Sequence, residues 1–401
     1  MSYSKQGYGA FKKETTAGTA VQPDTYFELI SDTITSEKPL VSSSPVYGSR
    51  SKNLHVNRGA ATIAGQITLE VEPDTIGYFL SGAYGLPSTS APADTTAYTH
   101  TFTQPYVTAS LATFTLDLAM GSDDFVRRYV GCKFHGVTFN IVENVWQVVV
   151  DVTAQYQFIT TRVKTTVDSG TTLVLYQTTG ITTDDTLILS PQSAANDEDA
   201  TVTTVTSETQ LTVSTMTLTH TADVDEITIK KQAIPSYVQL SKLTWIGNTV
   251  YKEGLLIGSV ASKAMETFSF TLKNDVEVRH GTTATANVEV NYYATAIVDK
   301  GYEASVTLGR YWTDEQQQDL FQFGAQGAID VTATCNDLAG ATTDYASLRI
   351  LLPDVRNIKD PTPNLGQDDI LNEDRELKVF NDSTAVYESR IVLVNKVVSY
   401  A

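Results

Sequence analysis

RGAATIAGQITLEVEPDTIGYFLSGAYG, Arg58–Gly85, reads as a strand that runs into a short helix. Ile67, Leu69 and Val71 alternate with Thr68, Glu70 and Glu72. A period of two gives a strand with one apolar face and one acidic face. Pro73 has no amide hydrogen for a ladder, and it suits the first turn of a helix. Asp74 places a negative charge at the positive end of that helix. Ile76, Phe79, Leu80 and Ala83 then follow at i, i+3, i+4 and i+7, which is one apolar stripe. Gly85 supplies the stop.

The same order of elements recurs in the second half. Gly301–Arg310 (GYEASVTLGR) patterns as a strand with Val306 and Leu308 on one face. Thr313–Gln316 is a capping box that opens a short helix through Phe323, with Leu320, Phe321 and Gly324 on one side. Ala328–Cys335 returns as a strand, as Leu111–Met120 does in the first half. A further strand pair follows in each half: Tyr129–Glu143 with Val145–Tyr156, then Tyr345–Pro353 with Val386–Asn395. The expectation is a mainly β chain with two copies of one fold, each a sandwich or barrel with a short flanking helix.

Around these halves the composition shifts. Residues 1–24 are Gly-, Lys- and Thr-rich with little periodicity and read as an arm, either loose or ordered against a neighbour. Residues 25–163 form the first half and residues 234–401 the second. Residues 164–233 are Thr-rich, with short β runs between Asp-, Gly- and Ser-rich turns, and read as a small inserted all-β domain. Its strand candidates are Leu173–Tyr176, Thr186–Leu189, Thr201–Val205, Leu211–Val213 and Glu226–Ile229. Glu143-Asn144, between apolar runs, marks a hairpin. Pro353–Lys378 loses periodicity, and so long a loop reads as disordered or as making contacts elsewhere.

The chain has 401 residues and a formal net charge of −18. Phosphate binding needs lysine and arginine, so direct affinity for nucleic acid is not expected. Such a surface either stays soluble or repels a polyanion moving past it. Cys132 and Cys335 sit in strand-like runs and read as small buried residues. No leader pattern and no apolar run of membrane-spanning length is seen, which points to folding in a cytosol with no membrane partner.

Catalytic patterns are weak. His55, His100, His135, His220 and His280 share no ligand spacing. The acid pairs Asp123-Asp124, Asp184-Asp185 and Asp368-Asp369 lie in loop-like runs and read as solvated. Calcium at Asp223, Asp225 and Glu226, or at Asn196–Asp199, lacks the twelve-residue loop of a dedicated site. The expectation is no enzyme, no cofactor and no metal. More telling are the acids on strand faces: Glu70 and Glu72, Asp117 between Leu116 and Leu118, and Asp330 between Ile329 and Val331. They fit an ordinary solvated sheet face. They also fit an acidic wall that lets a duplex slide without sticking.

Several stretches together resemble the tail tube proteins (major tail proteins) of long-tailed bacteriophages. These are Lys12–Thr19 (KKETTAGT), Ala64–Glu70 running into Pro73–Gly85, Tyr129–Thr138 (YVGCKFHGVT), Phe270–Glu277 (FTLKNDVE) and Asp299–Leu308 (DKGYEASVTL). The likeness spans most of the chain except Lys164–Gln232. It implies a virion structural protein whose subunits join sheets into a β-barrel, stack as rings and conduct DNA into the host during ejection. Arms and long loops would bridge rings. Duplication would favour trimeric rings with pseudo-sixfold symmetry over hexamers. The partners implied are further copies of the chain, a tape measure protein and a tail terminator protein, with only transient, non-adhesive DNA contact. Glu70, Glu72, Asp117 and Asp330 would then face the lumen. A long non-contractile tail is expected, because an outer domain would occupy a sheath's space. The competing reading is a secreted β-rich adhesin or carbohydrate-binding protein.

Overall fold

The computed structural model describes residues 7–43, 55–91, 97–103, 110–119, 126–189, 197–232, 242–254, 261–262, 265–281, 292–311, 324, 326–338, 345–359, 372–381 and 387–400. Among them the chain is mainly β, with the helix Pro73–Tyr84 alone. The helix expected at Thr313–Phe323, the strand at Leu255–Val260 and the centre of the Pro353–Lys378 loop lie outside the described residues.

One unbroken antiparallel run organises the molecule. It starts at Thr249–Gly254 and passes through Gly327–Leu338, Tyr345–Asn357, Asn372–Val379 and Ala296–Tyr311. From there it continues through Thr267–Arg279, Val126–Val142 and Val145–Ala154 to Thr62–Glu70. The run curls into a half-barrel. The pairing of Val126–Val142 with Thr267–Arg279 sews the first and second halves of the chain together.

Val126–Val142 is 17 residues long and serves two layers. Its first part pairs with Phe114–Ala119 and Tyr156–Phe158, and its second with Val145–Ala154 and Thr267–Arg279. The bend is marked by Gly131 at φ 65 and a register shift between Phe134 and Gly136. The hairpin at Glu143-Asn144 forms as expected: φ is 48 and 68 at the two residues, the left-handed pair that a tight two-residue turn requires.

The helix also follows its sequence signals. Pro73 opens it, and Gly85, at φ 89, closes it by donating its amide to Ser81 O at 3.0 Å. Ile76, Phe79, Leu80 and Ala83 are buried, as the stripe required. The helix is covered more widely than one stripe, because the chain's own ends close over it. Tyr8–Lys13 is a strand that pairs with Phe114–Ala119 and Thr25–Phe27, and its Phe11 ring lies 5.0 Å from that of Phe79. At the other end, Tyr400 packs so close to Gly77 that a Cβ there would meet its ring at 2.1 Å. Of the arm expected over residues 1–24, Tyr8–Lys13 is a strand of the main sheet and residues 14–24 hold no strand. Pro353–Asn357 likewise continues the strand Tyr345–Asn357 where a loop was expected.

A second sheet has six strands, in the order Thr161–Arg162, Glu226–Ile229, Thr186–Leu189, Glu198–Ser207, Gln210–Met216 and Gly170–Val174. Its apolar residues, among them Leu173, Leu187, Val202 and Ile227, are continuous with the main core. Cys132 and Cys335 are buried, as expected of small apolar residues.

Candidate functional site

The acids singled out in the sequence do not share one wall. Glu70 is partly exposed, its carboxylate 4.0 Å from Lys242 Nζ. Glu72 is buried at the start of the helix, where it accepts the Thr75 hydroxyl at 3.1 Å. Asp330 is buried and takes both Nε and Nη2 of Arg349, at 2.9 and 2.7 Å. Asp117 is buried as well. A water-facing acidic surface made of these four is therefore corrected to one exposed carboxylate and three buried ones. For Asp117 and Asp330 the physical reason is the same: alternation separates two faces of a strand but does not say what covers the second; Glu72 lies beyond the strand Thr62–Glu70, at the helix N-cap.

What covers Asp117 is the six-stranded unit. Arg128, across the ladder from Asp117, donates Nε and Nη2 to its two carboxylate oxygens at 2.7 and 2.8 Å. The same guanidinium donates Nη1 and Nη2 to Asp185 at 2.6 and 3.0 Å, and Nη1 also reaches Gly180 O at 3.0 Å. Asp185 in turn accepts the Thr182 amide and hydroxyl at 2.7 and 2.8 Å. Burial pushes the Asp117 carboxyl above its ordinary range, against the pull of the Arg128 charge. For Arg128 burial works against the charge, but the two carboxylates outweigh it and hold the guanidinium protonated. Two carboxylates around one fork satisfy nearly every donor, the condition under which a buried charge is tolerable. Asp185 was expected to be solvated; it is wholly buried. The signal that was available was Arg128 itself, an arginine inside an apolar strand run.

Two more pairs, Arg375–Glu253 buried and Lys133–Asp299 partly buried, tie distant parts of the fold. Arg375 Nη1 donates to Glu253 at 2.7 Å. Lys133 donates to Asp299 at 2.7 Å, linking the first half of the chain to the second. His135 does the same: its Nδ1 donates to Asn274 O at 3.2 Å and its Nε2 accepts the Thr153 hydroxyl at 3.1 Å.

The calcium candidates are engaged by the chain's own donors. Asp223 accepts the Tyr176 hydroxyl, Asp225 the Thr221 amide, and Glu226 the Arg162 guanidinium. Glu198 accepts the Thr217 and Leu218 amides, and Asp199 pairs with Lys230. Among the described residues no group of three or more His, Cys, Asp or Glu is placed to hold a metal ion. No helix among them is long and apolar enough to cross a membrane.

What remains open is surface. Each end of the half-barrel presents short or partial cover. Among the described residues, Ser31–Asp32 and Thr35–Glu37 pair along the outer edge of Thr62–Glu70, and Ala261–Ser262 pairs with part of Thr249–Gly254. A two-stranded ribbon, Leu40–Ser43 with Val56 and its neighbours in His55–Arg58, stands apart from both larger sheets. On it Leu40, Val41 and Val56 are 71%, 54% and 58% exposed. By ladder register Leu40 and Val56 share one face of the ribbon, and Val41 lies on the other.

The described residues of the chain define a class, mainly β proteins built on large antiparallel sheets. The sequence places it within that class: it matches the phage tail tube protein family over residues 4–235, and the chain belongs to that family. The matched range runs through the six-stranded unit, and residues 236–401 fall beyond it. A search of curated proteins returned no match. The family places the chain in the virion tail.

Proposed function

We propose that this chain is the repeating subunit of a phage tail tube, stacking as rings around a lumen that conducts DNA into the host. The observation that carries this reading is the half-barrel whose two margins are covered, among the described residues, by short strands. An unprotected sheet edge must be paired, covered or charged, and closure across copies of the chain removes the liability. Within the chain, Val126–Val142 and Thr267–Arg279 already show such edge pairing between two lengths of sheet. The ribbon, with Leu40 and Val56 on one face and Val41 on the other, supplies apolar side chains for a copy in the next ring. A head-to-tail contact of this kind is not self-complementary and grows as a filament.

In this reading the role is structural rather than catalytic, assembly takes place in the host cytoplasm, and the tube is that of a long non-contractile tail. The two halves of the chain act as two copies of one tube fold, so that three chains close a ring with pseudo-sixfold symmetry; six per ring is the other closure. A tape measure protein would fill the lumen before DNA does, and a terminator would cap the stack. Negative-stain electron microscopy of the purified chain tests the proposal. Hollow tubes or rings wide enough for duplex DNA are expected, and a monodisperse monomer under all assembly conditions would overturn it.

A further inference from the structure

His100, on the strand Tyr98–Thr103, is wholly buried, and residues 396–400 close over it. Its Nε2 lies 2.8 Å from Val397 O and its Nδ1 2.9 Å from Thr89 Oγ1. A carbonyl oxygen only accepts, so Nε2 carries the proton and Nδ1 accepts the Thr89 hydroxyl. The ring is thus seated in its neutral form between two neutral partners. The Tyr400 ring stands edge-on to it at 4.6 Å, and the Tyr98 ring stacks at 6.4 Å.

The same residues fasten to the helix Pro73–Tyr84. The Lys396 amide donates to Asp74 Oδ1 at 3.2 Å, and the Val397 amide to Asn395 Oδ1 at 3.0 Å. Asn395 in turn donates Nδ2 to Pro73 O at 2.7 Å and to the Tyr400 hydroxyl. The Tyr400 ring lies against Gly77 and 4.8 Å from the Tyr78 ring. Ser399 and Tyr400 also wall a cavity of about 580 Å³ whose other walls include Phe11, Tyr78 and Phe114.

We infer that residues 396–400 are a clasp that acid opens: charging His100 unseats Val397, and Tyr400 then leaves the helix and uncovers Gly77, Tyr78 and the aromatic cavity. Thr89 and Val397 fill both ring nitrogens, so a buried imidazolium there would have no carboxylate bonded to it. The titratable groups packed around the clasp are Tyr98, Tyr400 and Tyr78, whose phenols carry no charge in acid, with Asp74 and Lys396 at its foot. Burial holds the His100 imidazole below its ordinary value of 6.5, outweighing its bonds with Val397 and Asn395. The open form therefore takes the proton more readily, so closure is complete above pH 6.5 and weakens as pH falls below it. Asp74 works in the opposite sense. Burial raises its carboxyl against the pull of Lys396, so protonating it favours the closed form, and does so only as pH drops toward 3.8. The clasp opens in the window between the two.

Amide hydrogen exchange of the full chain, corrected for the intrinsic pH dependence of exchange, tests this. Uptake of one proton allows a change of at most about tenfold per pH unit. Residues 396–400 should lose roughly tenfold in protection between about pH 7.5 and about pH 5.5, while the Val145–Ala154 ladder keeps its own. His100→Gln, which retains a donor and an acceptor but does not titrate, should make the clasp's protection independent of pH. Protection that stays constant with pH in the parent chain, or that falls equally in His100→Gln, overturns the inference. So does a parallel loss along Val126–Val142 and Thr267–Arg279, which would assign the acid sensitivity to His135, also lowered by burial. Should His100→Gln not fold, NMR of the imidazole nitrogens in the parent chain decides. A ring that gains its proton in step with the loss of protection supports the clasp, and a ring that gains it while residues 396–400 stay protected overturns it.

Discussion

Nη1 of Arg128 donates to Oδ2 of Asp185 at 2.6 Å with neither side chain exposed to water. One residue belongs to the long strand that joins the two layers, the other to a turn of the six-stranded unit. Together with Asp117 they make that unit part of the subunit's core rather than an appendage hung from a linker.

Removing one member of this cluster leaves a buried charge without its partner. Asp185→Ala is expected to destabilise the chain by about 3–5 kcal/mol. Adding Arg128→Met and Asp117→Leu to it should recover much of the loss, since apolar replacements of a whole buried cluster are often neutral or better. Urea denaturation of the three chains checks this. A cost under about 1 kcal/mol for Asp185→Ala, the range of an exposed pair, would show that the cluster is open to water.

Stability should fall in alkali. Burial raises the Tyr8 phenol to about 12 from 10.0, opposed by its bond to Gln232, and raises Tyr129 to about 12 as well. Tyr84 and Tyr400 are raised by burial too. Between pH 10 and 12 the folded chain therefore holds more protons than the unfolded one, and linkage makes stability drop as pH rises through that window. Below pH 10 the contribution is complete. Melting temperature followed across this range, with phenolate absorbance in parallel, should show unfolding and tyrosine ionisation moving together. Phenolate appearing before any loss of structure would contradict the burial described.

The contact of Gly77 with Tyr400 sets a size limit. A methyl group at position 77 would lie 2.1 Å from the Tyr400 ring, so Gly77→Ala must push the C-terminal segment off the helix. The expected cost is about 1–3 kcal/mol, the usual range for overpacking. Tyr400→Ala in the same chain should make the added methyl harmless. Thermal melts of the single and double variants give the coupling directly, and strictly additive effects would mean the two residues do not touch.

On the ribbon the two halves of the proposal separate. Leu40→Asp, Val41→Asp and Val56→Asp together should leave the subunit's melting temperature within a few degrees of the parent, because these side chains have no core to leave. Tube length in electron micrographs should collapse to single rings or subunits. Full-length tubes from the triple variant would remove the ribbon from the stacking contact.

Much of this architecture could be read from the chain alone. Pro73, the stripe from Ile76 to Ala83, and Gly85 act on backbone within a few residues of themselves, so the helix stood clear in the sequence. The same holds for the hairpin at Glu143-Asn144, and for Thr186–Leu189 and Glu226–Ile229, whose bounds match the pattern residue for residue. Tyr8–Lys13 did not stand clear, since a strand at the chain's start is made by the edge it joins and not by its own six residues.

The candidate site divides on the same line. Its face-by-face alternation is a property of the strand, so the sequence alone determined which residues of Thr62–Glu70 or Thr267–Arg279 travel together. Tertiary structure alone decided which of the two faces meets water. Asp117 alternates with Leu116 and Leu118 as regularly as Thr271 does with Phe270 and Leu272, yet Asp117 lies under Asp185 while Thr271 stays at the surface. Periodicity is set by the pleat, a local geometry; solvent exposure is set by whatever distant stretch packs on top, and no window of sequence around Asp117 contains it.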